Sequence, residues 1–309
     1  MNVYYSTKFL NIKNPVVTIG LFDGVHQGHT ALLRHTIELA RLNKTESIVL
    51  TFYPHPRIVL NQEPEKLKIL TSLNEKIKLI ESTGIDNIIL LPFTDDFASL
   101  TAEKFITDIL VNDLKTSLLV VGFNHRFGNG GINFEDLKNI SEKSGFDLSF
   151  FNRIEIENQY PSSTQIRNLL HRGEIRKANK LLGYNYIIEG KVIEGEKIGR
   201  TLTYPTANIV LNEPVKLVPP DGVYACFVKV RGKIYKGMTN IGVCPTVKNK
   251  NSERSIEVHI LDFNDVIYSE VIELHLVERI RHEIKFSNCT DLKNQIDEDK
   301  IKVIRLLDL

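Results

Sequence analysis

The chain lacks most of what would mark a membrane, secreted or nucleic-acid-binding protein. No apolar run in its 309 residues approaches the roughly 20 that a membrane helix needs, which argues against a membrane partner. The N-terminal stretch MNVYYSTKFLNIKN has neither the apolar core nor the small-residue cleavage site of a secretory signal. Cysteine is scarce: Cys226, Cys244 and Cys289 are odd in number, widely spaced and without a CxxC pair. That excludes a disulfide framework or a structural zinc site and predicts three reduced thiols in a cytoplasmic protein. One sign of charge is not in excess either, with 39 Lys and Arg against 38 Asp and Glu and a net charge of +1. No run of basic residues exceeds two, so the footprint of a duplex-binding protein is absent and any nucleotide handled is expected to be small. Neither GxGxxG after the first strand nor GxxxxGK[ST] anywhere is present, which removes the dinucleotide fingerprint and the Walker loop.

What is present divides the chain in two, as its length predicts. From Pro15 to about Phe151, apolar β-rich runs (VVTIGLF, SIVLTFY, NIILLPF, SLLVVGF, DLSFF) alternate with segments of helical period. Leu33, Ile37 and Ala40 share one helix face, as do Leu73, Ile77 and Ile80. Strands apolar on both faces fit a doubly wound parallel sheet covered by helices, giving an α/β first domain over residues 1–185. STQIRNLLHRG and EIRKANKLLG read as two more helices, closed by Gly173 and Gly183. From Tyr186 onward, YIIEGKVIE, GVYACFVKV, KIYKGMTNIGV, RSIEVHIL and SEVIELHLV suit antiparallel strands of a barrel or sandwich, and a helix is expected from about Thr290 to Leu309. The second domain is therefore placed at residues 186–309.

TIGLFDGVHQGH, Thr18 to His29, carries the first chemistry. Its strand is expected to end near Phe22 and a helix to begin around Gly28, which puts His26 and His29 at the carboxyl edge of the sheet, where α/β folds bind ligands. Unpaired N–H groups and the positive end of the helix dipole favour an anion there, and two imidazoles suit a triphosphate during nucleotidyl transfer. Elsewhere, Ser163 and Thr164 open a helix with Arg167 one turn on, a fork of donors suited to phosphate; alone, the same residues make a plain helix start and a surface arginine. His55 stands between Pro54 and Pro56 at a strand exit, and Asn124, which both donates and accepts, just beyond another strand. In the second domain Thr206 and Asn208 lie two apart in PTAN, on one side of an extended segment, as hard oxygen ligands for Mg²⁺ or as members of an ordinary turn. Glu257 alternates with Ile256 and Val258 and faces either solvent or a site.

GLFDGVHQGH resembles the HxGH signature of nucleotidylyltransferases and, at its full length, the bacterial bifunctional riboflavin kinase/FMN adenylyltransferase (FAD synthetase) family. TFYPHP at 51–56, VGFNHRFG at 121–128 and PSSTQIR at 161–167 are similar to further motifs of its first domain. GEKIGRTLTYPTAN at 195–208 and IRHEIKF at 280–286 are similar to motifs of its kinase domain. The resemblance implies two ATP-dependent activities: phosphorylation of riboflavin to FMN in a C-terminal β-barrel, and adenylylation of FMN to FAD in the N-terminal domain. It implies His26, His29 and Arg167 as catalytic groups of the second reaction and Glu257 as general base of the first. It further implies ATP or phosphate contacts at Gly20, Phe22, Asp23, Gly24, Gly28, Ser163, Thr164, Gly195, Gly199 and Arg200. Flavin contacts would be His55, Asn124 and Arg126, and the Mg²⁺ ligands Thr206 and Asn208. The chain departs from the family pattern at Thr203, where glycine is usual, at Pro161 and over Gly128–Asn133. Two other readings compete: an HxGH enzyme with a different acceptor, and a regulator that binds flavin or nucleic acid, with the neutral charge arguing against nucleic acid.

Overall fold

The computed structural model describes residues 1–8, 10–60, 68–123, 134–195, 203–243 and 254–308. The chain forms two compact units, Met1–Leu67 with Leu73–Ser162, and Lys68–Ser72 with Ser163–Leu309.

The first unit follows β1 (Asn2–Tyr4), β2 (Val16–Ile19), α1 (Gln27–Leu42), β3 (Ser47–Tyr53), α2 (Pro56–Val59), α3 (Leu73–Glu81) and β4 (Asn87–Pro92). It continues with α4 (Asp95–Ala98), α5 (Ala102–Phe105) running on into a π-helical stretch Ile106–Asp113, then β5 (Leu118–Gly122), α6 (Phe134–Ser144) and β6 (Asp147–Phe151). All five expected strands form. They make one parallel sheet in the order β1-β4-β3-β2-β5-β6. Alternate residues of each strand enter opposite cores: Val17, Ile48, Leu50 and Leu119 pack on one face, Val16, Val49, Ile88 and Val120 on the other. All eight are fully buried, which explains runs of apolar residues without a polar face. Truncating one of them, such as Ile88, to Ala would cost about 2–5 kcal/mol. The strand order reverses between β2 and β5, so the carboxyl ends of those strands flank the topological switch point. β1 was not anticipated; three residues carry no period of their own, and β1 exists through its pairing with β4.

In the second unit α7 (Ser163–His171) and α8 (Ile175–Leu182) precede six strands. These are β7 (Tyr186–Ile193), β8 (Ala207–Leu211), β9 (Gly222–Val230), β10 (Lys233–Val243), β11 (Arg254–Ile260) and β12 (Val271–His282). They close into an antiparallel barrel in the order β10-β11-β8-β7-β12-β9. Gly183 ends α8 in the left-handed region, φ +84°, as expected of a C-terminal glycine. β8, hidden in the sequence behind PTAN, supplies the strand between β7 and β11; among the described residues it joins β11 through two residue pairs, Glu257–Asn208 and Val258–Ala207. The C-terminal helix Cys289–Leu307 is capped by the Asn288 side chain, which accepts from the Asp291 N–H at 2.9 Å. It buries Val303 and Leu307 against Val223, Ala225, Met238 and Leu261 of the barrel unit. No helix among the described residues is long and apolar enough to cross a membrane.

Candidate active sites

β2 ends at Ile19, three residues earlier than the apolar run suggested, because Phe22 turns the chain with φ +48°. Gly24 follows at φ +84°, and α1 begins at Gln27. His26 is therefore the N-cap: its Nδ1 accepts from the His29 N–H at 3.3 Å. A nitrogen that accepts carries no proton, so neutral His26 keeps its proton on Nε2, the one donor it can offer a ligand. The two imidazoles stack at 3.6 Å between centroids, 15° from parallel, and the Phe22 ring meets His29 edge-on at 5.2 Å. Gly28 makes room for this stack, since a Cβ there would stand 3.1 Å from the His26 ring. Gly20 lies beneath the Phe22 ring, and Asp23 is buried beside the turn.

Both histidines are held neutral. Burial lowers His26 from 6.5 to about 4, with Asp23 opposing, and burial followed by His26 and Lys76 holds His29 well below its ordinary value. A neutral pair has ring N–H donors to offer a ligand and no resident positive charge. The enclosed Nδ1 of His29 has no hydrogen-bond partner among the described residues, an unmet polar atom at a switch-point turn. His55 sits at the exit of β3 and caps α2, its Nδ1 accepting from the Arg57 N–H at 3.2 Å. Ser163 and Thr164 are the first two residues of α7. Arg167, on the same helix, belongs to the second unit, where its Nε donates to the Lys68 carbonyl at 2.9 Å. Asn124, Arg126, Gly199 and Arg200, with the departure at Gly128–Asn133, lie outside the described residues.

In the barrel, register assembles what sequence separates. Glu257 on β11 pairs with Asn208 on one side and Asn240 on the other, so the three side chains share a face. The Thr206 hydroxyl, just before β8, donates to Glu257 Oε2 at 3.3 Å. Gly195 closes the group: a Cβ there would stand 2.0 Å from Asn208 Nδ2, so only glycine leaves that amide its place. Thr206 is exposed and Glu257 half-buried, an arrangement open to substrate.

Before Thr206 the backbone is strained. Thr203 has φ +66°, a region that costs a β-branched residue about 1–2 kcal/mol, which accounts for the glycine usual there. Tyr204 is buried, its hydroxyl donating to Asp297 of the C-terminal helix; burial first and Asp297 next raise that hydroxyl to about 12. Tyr204 packs edge-on against His259 at 5.0 Å. Nδ1 of His259 donates to the Pro205 carbonyl at 2.8 Å, and burial lowers its pKa, so the ring is neutral.

Sequence reasoning missed a cavity of about 370 Å³ beside Thr206, lined by Val192, Pro205, Ala207, Val258, Ile260 and the 263–268 segment. Its sole signal was the aromatic-bearing loop DFNDVIYS between two strands.

A parallel sheet with a histidine turn at its switch point, joined to a closed barrel bearing a hydroxyl, an amide and a carboxylate, defines a two-part nucleotide-handling enzyme. The profile of the FAD synthetase family matches residues 9–165, and that of riboflavin kinase residues 182–307. The chain is 37% identical to the bifunctional riboflavin kinase/FMN adenylyltransferase of Bacillus subtilis, over 94% of this chain and 92% of that one. It is 40% identical to the protein of the same name from Buchnera aphidicola of Schizaphis graminum, over 94% and 93%. A solved structure named as a macrolide-efflux protein from Streptococcus pneumoniae superposes with a TM-score of 0.87 at 32% identity, covering 97% of this chain and 98% of that one. The chain belongs to the bifunctional riboflavin kinase/FMN adenylyltransferase family.

Proposed function

We propose that this chain makes FAD from riboflavin in two ATP-dependent steps, carried out by the side chains described above. It is a riboflavin kinase and an FMN adenylyltransferase, consuming riboflavin, FMN and ATP and releasing FMN, FAD, ADP and pyrophosphate. The adenylyltransferase domain runs over residues 1–185 and the kinase domain over 186–309, and both work in the cytoplasm on small molecules.

In the kinase reaction Glu257 takes the proton of the terminal ribityl hydroxyl as its oxygen attacks the γ-phosphorus of ATP and ADP leaves. This role rests on one observation, the contact of Glu257 with the Thr206 hydroxyl, which also lines the neighbouring cavity of about 370 Å³. Thr206 and Asn208 fit Mg²⁺: both present hard oxygens, and the glycine cradle at Gly195 keeps Asn208 in place. When bound, Mg²⁺ neutralises phosphate charge. Thr206 and Asn208 orient the phosphates, and Gly195 with Gly199 and Arg200 belongs to the phosphate loop.

In the adenylyltransferase reaction a phosphate oxygen of FMN attacks the α-phosphorus of ATP and the bond to pyrophosphate breaks. His26, through its Nε2 proton, and His29 donate to the charge that develops; Arg167 on α7, with Ser163 and Thr164, carries the phosphate contacts. Phe22, Asp23 and the glycines 20, 24 and 28 shape the turn, while His55, Asn124 and Arg126 contact flavin. No covalent enzyme intermediate is needed.

Chromatography of a reaction containing the protein, riboflavin, excess ATP and Mg²⁺, with a parallel reaction started from FMN, tests the proposal. FMN appears first and FAD second. Unchanged riboflavin beside efficient conversion of FMN would demote the barrel to substrate recognition, and no conversion of either would return the chain to a binding role.

A further inference from the structure

The loop that delivers Thr206 is anchored at two successive residues by groups the phosphoryl-transfer reading leaves unused. Tyr204 and Thr206 are two apart before β8, and His259 and Glu257 are two apart on β11, so two contacts run side by side: Tyr204 with His259, and Thr206 with Glu257. Tyr204 is further tied by its hydroxyl to Asp297, with Lys300 Nζ 5.8 Å from its ring centroid, and Pro205 by its carbonyl to His259. Thr203, immediately before them, holds a left-handed backbone that persists only where neighbours over-determine it.

These contacts are not needed to dock the C-terminal helix. Asp299, buried, already binds Arg281 at 2.7 Å, Asp308 pairs with Lys236, and Val303 and Leu307 enter the apolar cluster. What the Tyr204 and His259 contacts determine is where Thr206 stands.

We infer that Tyr204, held by Asp297, and His259, held on the Pro205 carbonyl, are positioning residues that set the Thr206 hydroxyl against Glu257 for transfer of the γ-phosphoryl group. The inference rests on the roles proposed for Thr206 and Glu257. It makes the C-terminal helix part of the kinase machinery, although neither Asp297 nor His259 need touch substrate.

The test uses the full chain, with FAD formation from supplied FMN as an internal measure of intact protein. Tyr204→Phe keeps the ring and loses the hydroxyl. Its kcat/KM for ATP in FMN formation should fall about tenfold, the effect of one hydrogen bond to a charged group, with KM for ATP raised. Equilibrium binding of ADP, measured by calorimetry, should weaken in parallel. Asp297→Ala should match it, the double variant should be no worse than either single one, and Asp297→Asn, whose amide oxygen still accepts, should recover most of the loss. A merely structural role would lower kcat with the folded fraction and leave KM and ADP affinity unchanged, and that result would overturn the inference. Glu257→Gln is assayed alongside. If it is inactive while Tyr204→Phe equals the parent, the positioning role fails alone; if it retains the parent rate, the phosphoryl-transfer reading fails and takes the inference with it.

Discussion

The histidine turn and the barrel site solve the problem of placing chemical groups in opposite ways. Twelve consecutive residues, Thr18 to His29, build the first, and the contacts that place its histidines are local: a cap, a ring stack, a glycine beneath a ring. Its two histidines are held neutral by burial before substrate arrives. The second draws on Gly195, Thr206, Asn208 and Glu257, spread over more than sixty positions and joined only by strand register. It is open, and its donors are set by long-range contacts. A site made within one turn survives wherever that turn folds, whereas one made by register exists only when the barrel is closed.

The sharpest way to break this comparison is to remove one group from each side. Glu257→Gln should lower FMN formation by about 10²–10⁴, the range for a general base, while FAD formation from supplied FMN stays within about twofold. A shared loss would mean that the two sites are not separable. His26→Asn makes the converse test, because asparagine still caps α1. FAD formation should fall by about 10²–10³ and FMN formation persist.

The same variant carries a pH signature. A histidine whose folded pKa lies near 4, below its ordinary 6.5, binds its proton more readily unfolded, so stability is intact above pH 6.5 and is lost as pH falls toward 4. The loss amounts to about 3 kcal/mol, and His26→Asn should remove it, moving acid unfolding to lower pH. An unshifted acid transition would show that His26 is not held neutral.

Smaller effects sharpen the barrel side. Gly195→Ala forces the Asn208 amide aside, and since a side-chain end moves easily, melting should change little while KM for ATP in FMN formation rises about tenfold. Thr203→Gly should raise stability by about 0.5–1 kcal/mol, the relief of left-handed strain less the added freedom of glycine in the unfolded chain. A destabilised variant would mean that Thr203 contributes contacts worth more than its strain.

The two sites also differ in how far they were legible. The parallel strands announced themselves because burial on both faces leaves a continuous apolar run, and the helix faces at Leu33, Ile37 and Ala40 followed from spacing. The histidine turn was readable as a candidate site because its logic is contiguous. Its neutral charge state was not, since desolvation by Phe22 and the neighbouring core is a tertiary property. In the barrel, resemblance pointed to Thr206, Asn208 and Glu257, but no spacing rule links positions 206 and 257. The anchoring of Tyr204 by Asp297, 93 residues away, and the cavity beside Thr206 arise from closure of the barrel and leave no local trace. Thr203 is the exception: its departure from the family glycine was visible in the chain, and its positive φ supplies the reason.

The two-rung ladder between β8 and β11 has a mechanical consequence. Among the described residues this is the shortest ladder of the barrel, and it carries the carboxylate proposed as general base and the amide opposite it. Segments held by few backbone hydrogen bonds open at the lowest cost, so local opening of the barrel is expected first between Asn208 and Glu257. The longer ladders on either side, β10 with β11 and β7 with β8, would hold the rest of the barrel closed while that seam opens.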